Sequence, residues 1–105
     1  MNNIKIERWN HIFVKEISEI LSTEIKDEEI QFVTVTGCDI TSDLSYAKVY
    51  VTVLDDSKKE STLKALNKAS AYIRSELSQR IEIRHTPELK FLYDDSIAYG
   101  NKIEE

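Results

Sequence analysis

The sequence predicts an α+β fold in which helices pack on one face of a three-stranded mixed sheet. Two stretches show helical hydrophobic spacing, and each is followed by residues that are β-branched or alternate between apolar and polar. The last strand follows a helical crossover, so a parallel strand pair is expected. With 105 residues, of which 41% are hydrophobic, the chain can bury one core, and we expect a single domain over residues 1–105.

The first helix is predicted from about Ile6 to Glu24. Apolar residues recur there at i, i+3 and i+4, which is typical of a helix that buries one face. They are Trp9, Ile12, Phe13, Ile17, Ile20 and Leu21.

Two strands are predicted next. Residues 30–36 are rich in β-branched and aromatic side chains, and Gly37 should end this strand or form a bulge in it. Residues 46–54 alternate between small apolar and larger amphipathic side chains, so one face should lie in the core and the other should be partly wet. Residues 43–45 are expected to turn the hairpin.

The second helical region is predicted to begin at Ser57, which has capping-box spacing with Glu60. Its apolar period continues to Leu77 without a Gly or Pro. The periodicity alone therefore indicates one long helix.

A last strand is predicted where apolar residues alternate with polar ones between Ile81 and Tyr93. Pro87 lies near its start, where a missing backbone donor is tolerated. From about residue 95 the sequence indicates a short polar tail.

The composition favours a soluble cytoplasmic protein. No apolar run approaches the roughly 18 residues that a membrane-spanning helix needs, and the amino-terminal segment is polar, so we expect neither membrane insertion nor secretion. The single cysteine, Cys38, cannot form an internal disulfide, which fits a reducing compartment.

The sequence offers little support for catalysis. Cys38 has no evident basic partner that would lower its pKa, and His11 and His85 lie on different elements without metal-ligand spacing. A phosphate-binding glycine loop is also missing. We therefore expect a protein that is not an enzyme and that needs no cofactor, metal or small-molecule substrate.

The charge distribution is uneven. A net charge of −5 argues against a nucleic-acid partner in general, since binding to a polyanion depends on Lys and Arg. Residues 58–90, however, contain 8 basic and 4 acidic side chains. Such a region is either a solvated helix surface or a phosphate-binding surface, and charge alone does not separate the two.

Four segments together resemble the ribosome-binding factor A family. The most recognisable are residues 38–54 and 87–94, and the other two are residues 16–21 and 65–74. They occur in the family's order and spacing, and the resemblance extends from Arg8 to Ile103. It implies a type II KH-like domain with the element order α-β-β-α-kink-α-β.

The resemblance also accounts for a missing motif. Ordinary KH domains clamp nucleic acid with a GXXG loop, which this chain lacks because its two glycines are far apart in the sequence. The family replaces that loop with a helix-kink-helix that carries an Ala-x-Gly sequence. Here the kink is expected at Ala69-Ser70-Ala71, where Ala71 stands in place of the family's glycine.

Basic side chains are the candidates for RNA contact. Arg8, His11 and Lys15 form one polar stripe on the first helix, at i, i+3 and i+7. A second group lies in or near the basic region and comprises Lys64, Lys68, Arg74, Arg80, Arg84, His85 and Lys90. The alternatives are a solvated helix face for the stripe and, for the arginines, structural ion pairs with glutamates such as Glu76 or Glu88.

The tyrosines are a weaker set of candidates. They could stack on unpaired bases, although half-buried positions in the sheet and helices are the more ordinary interpretation. They are Tyr46, Tyr50, Tyr72, Tyr93 and Tyr99.

The resemblance implies a factor that associates with the free or immature small (30S) ribosomal subunit. Its partners would be that subunit and its rRNA, with no membrane partner. By binding rRNA, as a monomer, it would assist 16S rRNA processing and late subunit maturation. The alternative is an acidic protein-interaction adaptor, in which the acidic first half and the outer sheet face dock a protein and RNA is not contacted. Affinity that falls steeply with salt would favour RNA.

Overall fold

The computed structural model describes residues 3–30 and 32–95. The predicted polar tail after residue 95, with Tyr99 and Ile103, lies outside the described residues. The helices are α1 (Asn3–Thr23), α2 (Lys59–Lys68) and α3 (Ser70–Arg80), and the strands are β1 (Val33–Ile40), β2 (Tyr46–Val53) and β3 (Glu88–Tyr93). Single 3-10 turns at Glu28–Ile30 and Asp56–Lys58 precede β1 and α2. The predicted element order is confirmed.

The three strands form one mixed sheet in the order β1-β2-β3. The hairpin strands β1 and β2 are antiparallel, whereas β2 and β3 are parallel, with Val49 opposite Phe91. The helical crossover through α2 and α3 returns the chain to the starting end of the sheet, which makes the second pair parallel. The predicted mixed sheet is therefore confirmed.

The described helices cover one face of this sheet, and the other, which we call the open face, carries none of them. Helix α1 packs over β1 and beside α3, and α2 and α3 both lie against β3. Ala47, Val49 and Val51 point from β2 into the core and are fully buried, whereas Tyr46 and Lys48 on the opposite face are exposed. The predicted division of β2 into a core face and a partly wet face is confirmed.

Strand β1 differs from its predicted range. Ile30 belongs to the preceding 3-10 turn, and the strand continues through Gly37 to Ile40 because β2 is long enough to pair with it on both sides of Thr36, which has no partner in the register. The pairing register shifts between Val35 and Gly37, so Gly37 takes part in a bulge and does not end the strand.

Strand β3 is shorter than predicted. It begins at Glu88, whose N–H donates to the Ser45 carbonyl at 3.0 Å, directly after the buried Pro87, which has no N–H to donate. Ile81 and Ile83 lie in the loop before β3, where they pack against the core without joining the sheet.

The start of α2 also differs from the prediction. Asp55, and not Ser57, supplies the capping oxygen, because its Oδ1 accepts the Ser57 N–H at 3.0 Å and the Ser57 hydroxyl at 2.7 Å. This cap begins the 3-10 turn that leads into α2, so the capping-box prediction is wrong.

The predicted break in the helical region lies at Ala69. Its ψ of 4° is far from the helical value, and its N–H is shared between the Ala65 and Leu66 carbonyls. Leu66 and Ile73, on either side of the break, are both fully buried. Packing of these two side chains therefore holds the break without a glycine.

Candidate nucleic-acid interface

One side chain of helix α2, whose Leu66 is buried in the core, forms hydrogen bonds with the outer edge of β3. The Asn67 amide accepts the Phe91 N–H at 2.9 Å and donates to the Phe91 carbonyl at 3.1 Å, as a neighbouring strand would. Lys64 and Lys68, on the same helix, are both exposed. Neither forms an ion pair with another described side chain. The amide contact thus places two available cations beside this edge.

Two lysines meet on the open face of the sheet. Lys90 on β3 lies opposite Lys48 on β2 in the parallel register, and both are exposed. Asp39 on β1 lies opposite Lys48, so this row across the sheet holds two positive charges and one negative charge. Adjacent like charges repel, and an anion bound between them would relieve that repulsion.

Lys48 was missed by the sequence analysis as a candidate for RNA contact. The alternation of β2 placed its side chain on the outer face, but the signal that matters is its position next to Lys90. That position depends on the parallel register, which the sequence does not reveal.

The loop between α3 and β3 presents Arg84 and His85, which are both exposed. Arg74 holds this loop: its Nε and Nη2 both donate to the Thr86 carbonyl, at 2.9 and 2.7 Å. Arg74 is half-buried and therefore acts chiefly as a positioning residue. We call the exposed group Lys48, Lys64, Lys68, Arg84, His85 and Lys90 the β3-edge cluster.

Arg80 is engaged in a different way. Its guanidinium lies 3.5 Å from the Glu16 carboxylate, 3.2 Å from that of Glu19 and 3.6 Å from that of Glu24, which joins α3 to α1. Three carboxylates around one cation leave the site with a net negative charge, which would repel phosphate. The structure thus favours the ion-pair alternative for Arg80, which is not a member of the β3-edge cluster.

The stripe of Arg8, His11 and Lys15 is exposed, as an amphipathic helix requires. His11 and Lys15 line a shallow groove between α1 and the bulge of β1. Asn10 anchors α1 here, because its Oδ1 accepts the Ile40 N–H at 3.0 Å. Since β1 and β3 are the two edge strands, the stripe and the β3-edge cluster lie at opposite edges of the sheet.

The described tyrosines are divided between exposed and half-buried positions. Tyr46 on the open sheet face and Tyr72 on α3 are exposed, whereas Tyr50 and Tyr93 are half-buried. Burial, and then the nearby Asp56 carboxylate, raise the pKa of Tyr93, whose hydroxyl donates to Asp56 at 3.3 Å. Tyr46 is therefore the most accessible aromatic ring near Lys48 and Lys90.

Two further polar groups, Cys38 and Asp43, have pKa values shifted by their surroundings. Burial, reinforced by Asp39, raises the pKa of the Cys38 thiol to about 12, so the thiol is protonated at neutral pH. Asp43 accepts hydrogen bonds from the Thr41 hydroxyl and the Ser45 N–H, which lower its pKa and fix the hairpin turn.

Within the described ranges, no three His, Cys, Asp or Glu residues are grouped to hold a metal ion. None of the described helices could cross a membrane.

Comparison with known proteins identifies the family. The family model described as ribosome-binding factor A matches residues 5–105. The chain is 50% identical to ribosome-binding factor A of Staphylococcus epidermidis, over 99% of this chain and 90% of that protein. It is 47% identical to the Staphylococcus carnosus protein of the same name, over 100% of this chain and 92% of that protein.

Solved structures of the same family share the fold. The crystal structure of ribosome-binding factor A from Thermus thermophilus matches with a TM-score of 0.75 and 22% identity, over 84% of this chain and 93% of that chain. A Thermus thermophilus homology model that was fitted into a cryo-EM map of a complex with the 30S subunit matches with a TM-score of 0.69 and 24% identity, over 82% of this chain and 91% of that chain. The sequence and the fold lead to one conclusion: the chain belongs to the ribosome-binding factor A family.

Proposed function

We propose that this protein binds the small ribosomal subunit by contacting the rRNA backbone with its β3-edge cluster. The observation that carries the proposal is the difference in ion pairing between this cluster and Arg80. The cluster's lysines and Arg84 are exposed and form no ion pair with a described side chain, whereas carboxylates surround Arg80. The relative whose homology model was fitted into a 30S complex supports the choice of partner.

The geometry suits a structured RNA. Lys64 and Lys68 flank one edge of the sheet, Lys48 and Lys90 occupy its open face, and Arg84 lies in the loop that leads into β3. These positions form a surface that bends around the β3 edge of the sheet. Binding an RNA backbone on this surface does not require a deep pocket for a single base. An A-form helix is recognised mainly by its backbone and shape, and such a surface can follow it.

The protein would then act by binding alone. A factor that binds one rRNA conformation more tightly than another raises the population of the first, and it dissociates when maturation removes that conformation. We propose that the protein assists 16S rRNA processing and late subunit maturation in this way, as a monomer and without catalysing a reaction. The stripe of Arg8, His11 and Lys15 would add a second, separate contact.

The test is co-sedimentation with purified small subunits across a salt series. Lys64→Glu/Lys68→Glu should reduce affinity by at least about tenfold at low salt and flatten the dependence of log affinity on log salt, because phosphate contacts are lost. Lys68→Glu and Lys26→Glu form a matched pair, since both reverse one exposed lysine and only the first lies in the cluster. We expect Lys26→Glu to bind like the unaltered protein.

Two outcomes would contradict the proposal. Equal losses for Lys68→Glu and Lys26→Glu would show that only the net charge matters. Binding that resists salt and survives the double reversal would favour the protein-interaction adaptor. Circular dichroism of each variant checks that the fold is intact.

A further inference from the structure

Phe32 combines two features that disfavour stability. Its φ of 60° lies in the left-handed region, which is sterically unfavourable for a residue with a bulky side chain. Its side chain is also 72% exposed, so little burial offsets the strain. An exposed aromatic ring on a strained backbone indicates a role beyond folding.

Leu44 provides an internal comparison. Its φ of 62° is almost the same, but its side chain packs against the core and its N–H donates to the Thr41 carbonyl at 2.9 Å. In the hairpin turn, packing against the core therefore offsets the strained backbone. At Phe32 a similar backbone conformation carries a phenyl ring that lies in solvent.

A second large apolar side chain lies beside this ring. The Leu54 N–H donates to the Phe32 carbonyl at 3.2 Å, so the two residues are paired at the end of the β1–β2 hairpin. Leu54 is 78% exposed. Between the two residues and Lys58 lies a groove of about 240 Å³ that also reaches the buried Thr62. We call Phe32 and Leu54 the apolar knob.

The charges that line the groove disfavour a phosphate ligand. Among the described residues of its lining, Glu28 and Asp55 are acidic and Lys58 is basic, and the neighbouring Asp56 and Lys59 carry opposite charges. Hydrogen bonds from Ser57 lower the pKa of Asp55, so its carboxylate is charged at neutral pH. An apolar anchor with an acidic rim is complementary to a protein segment that carries a hydrophobic residue beside basic ones.

We propose that the apolar knob docks a basic segment of a partner protein, which inserts one aliphatic or aromatic side chain into the groove beside Phe32 and Leu54. This inference does not depend on RNA binding. The knob lies at the end of the hairpin opposite the Asp43 turn, whereas Arg84 and His85 precede the start of β3, beside that turn. The knob and the Arg84–His85 end of the β3-edge cluster therefore lie at opposite ends of the sheet.

The test measures peptide binding to the full chain by fluorescence anisotropy. The probes are short synthetic peptides with one Phe, Leu or Ile among lysines and arginines, and matched peptides with Ser at the apolar position or Glu at the basic positions. Phe32→Asn should weaken binding of the basic apolar peptides by at least about tenfold, because a central aromatic anchor is removed. Asn tolerates the left-handed backbone, so the strand entry stays in place.

Two controls make the result decisive. Tyr46→Ser removes another exposed ring, on the open sheet face, and should leave peptide affinity unchanged. Phe32→Asn should leave the thermal midpoint unchanged or raise it, whereas Leu44→Asn should lower it because packing against the core is lost.

The proposal is overturned if Phe32→Asn binds the peptides as tightly as the unaltered protein, or if the Ser and Glu peptides bind equally well. It is also overturned if Tyr46→Ser loses as much affinity, or if Phe32→Asn lowers the midpoint as Leu44→Asn does. Loss of small-subunit rRNA binding in Phe32→Asn, with peptide binding unchanged, would assign the knob to RNA.

Discussion

Helices α2 and α3 lie next to each other in the chain but use their basic residues in opposite ways. On α2, Lys64 and Lys68 are exposed beside the edge of β3. On α3, Arg80 is half-buried among Glu16, Glu19 and Glu24. The comparison shows that a basic region of the sequence contains both structural cations and available ones, and only the available ones can contribute to binding phosphate.

The largest expected effect comes from removing the hydrogen bonds between α2 and the edge of the sheet. Asn67→Ala removes both hydrogen bonds to Phe91 and leaves two backbone groups of β3 without a protein partner, which should cost about 2 kcal/mol of unfolding free energy. Affinity for the small subunit should fall as well, since Lys64 and Lys68 lose their fixed position. Urea unfolding and co-sedimentation measure the two effects.

Asn10→Ala is the control for this edge. It removes the single hydrogen bond to the Ile40 N–H at the opposite edge of the sheet, and it should destabilise the protein less than Asn67→Ala. An equal loss of stability in both variants would show that the two hydrogen bonds at Phe91 stabilise the protein no more than the single one at Ile40.

A smaller effect is expected at Arg80. Arg80→Met keeps much of the side-chain volume but leaves three carboxylates facing one another, and it should destabilise the protein by about 0.5–1 kcal/mol, since the network is partly exposed. The loss should shrink as salt increases, because salt screens repulsion among the carboxylates. Affinity for the small subunit should not change. A tenfold loss of affinity would show that Arg80 belongs to the binding surface.

The smallest effect concerns Cys38, a group that burial keeps neutral. Its pKa is raised from 9.0 to about 12 in the folded protein, so the folded state retains the proton and the unfolded state releases it as the pH rises. The thiol's contribution to the unfolding free energy is fully present below pH 9 and is lost between pH 9 and pH 12. Between pH 8 and pH 9.5 the unaltered protein should therefore lose a part of its unfolding free energy, less than about 1 kcal/mol, that Cys38→Ala does not lose. An unchanged difference between the two proteins would contradict this.

The sequence predicted the parts of the fold that local patterns determine. The buried stripe of α1 and the alternation of β2 follow directly from hydrophobic spacing, and the break at Ala69 was expected from the family resemblance. The start of β1 was predicted wrongly, because a strand forms only where its partner continues. The cap was predicted at Ser57 but lies at Asp55, whose side chain accepts the Ser57 N–H.

The candidate site was harder to predict because its members are distant in sequence. Lys48 and Lys90 become neighbours only through the parallel register, and Arg80 meets Glu19 only through the packing of α3 on α1. Neither relationship leaves a local pattern. Residue type and spacing can nominate basic side chains, but tertiary contacts decide which of them remain available.

The two asparagines have a further consequence for assembly. Asn10 and Asn67 each present an amide to an outward-facing backbone group of an edge strand, Ile40 in one case and Phe91 in the other. An incoming strand from a second molecule would have to displace these amides before it could extend the sheet. At these two points the amides therefore oppose extension of the sheet by a second molecule.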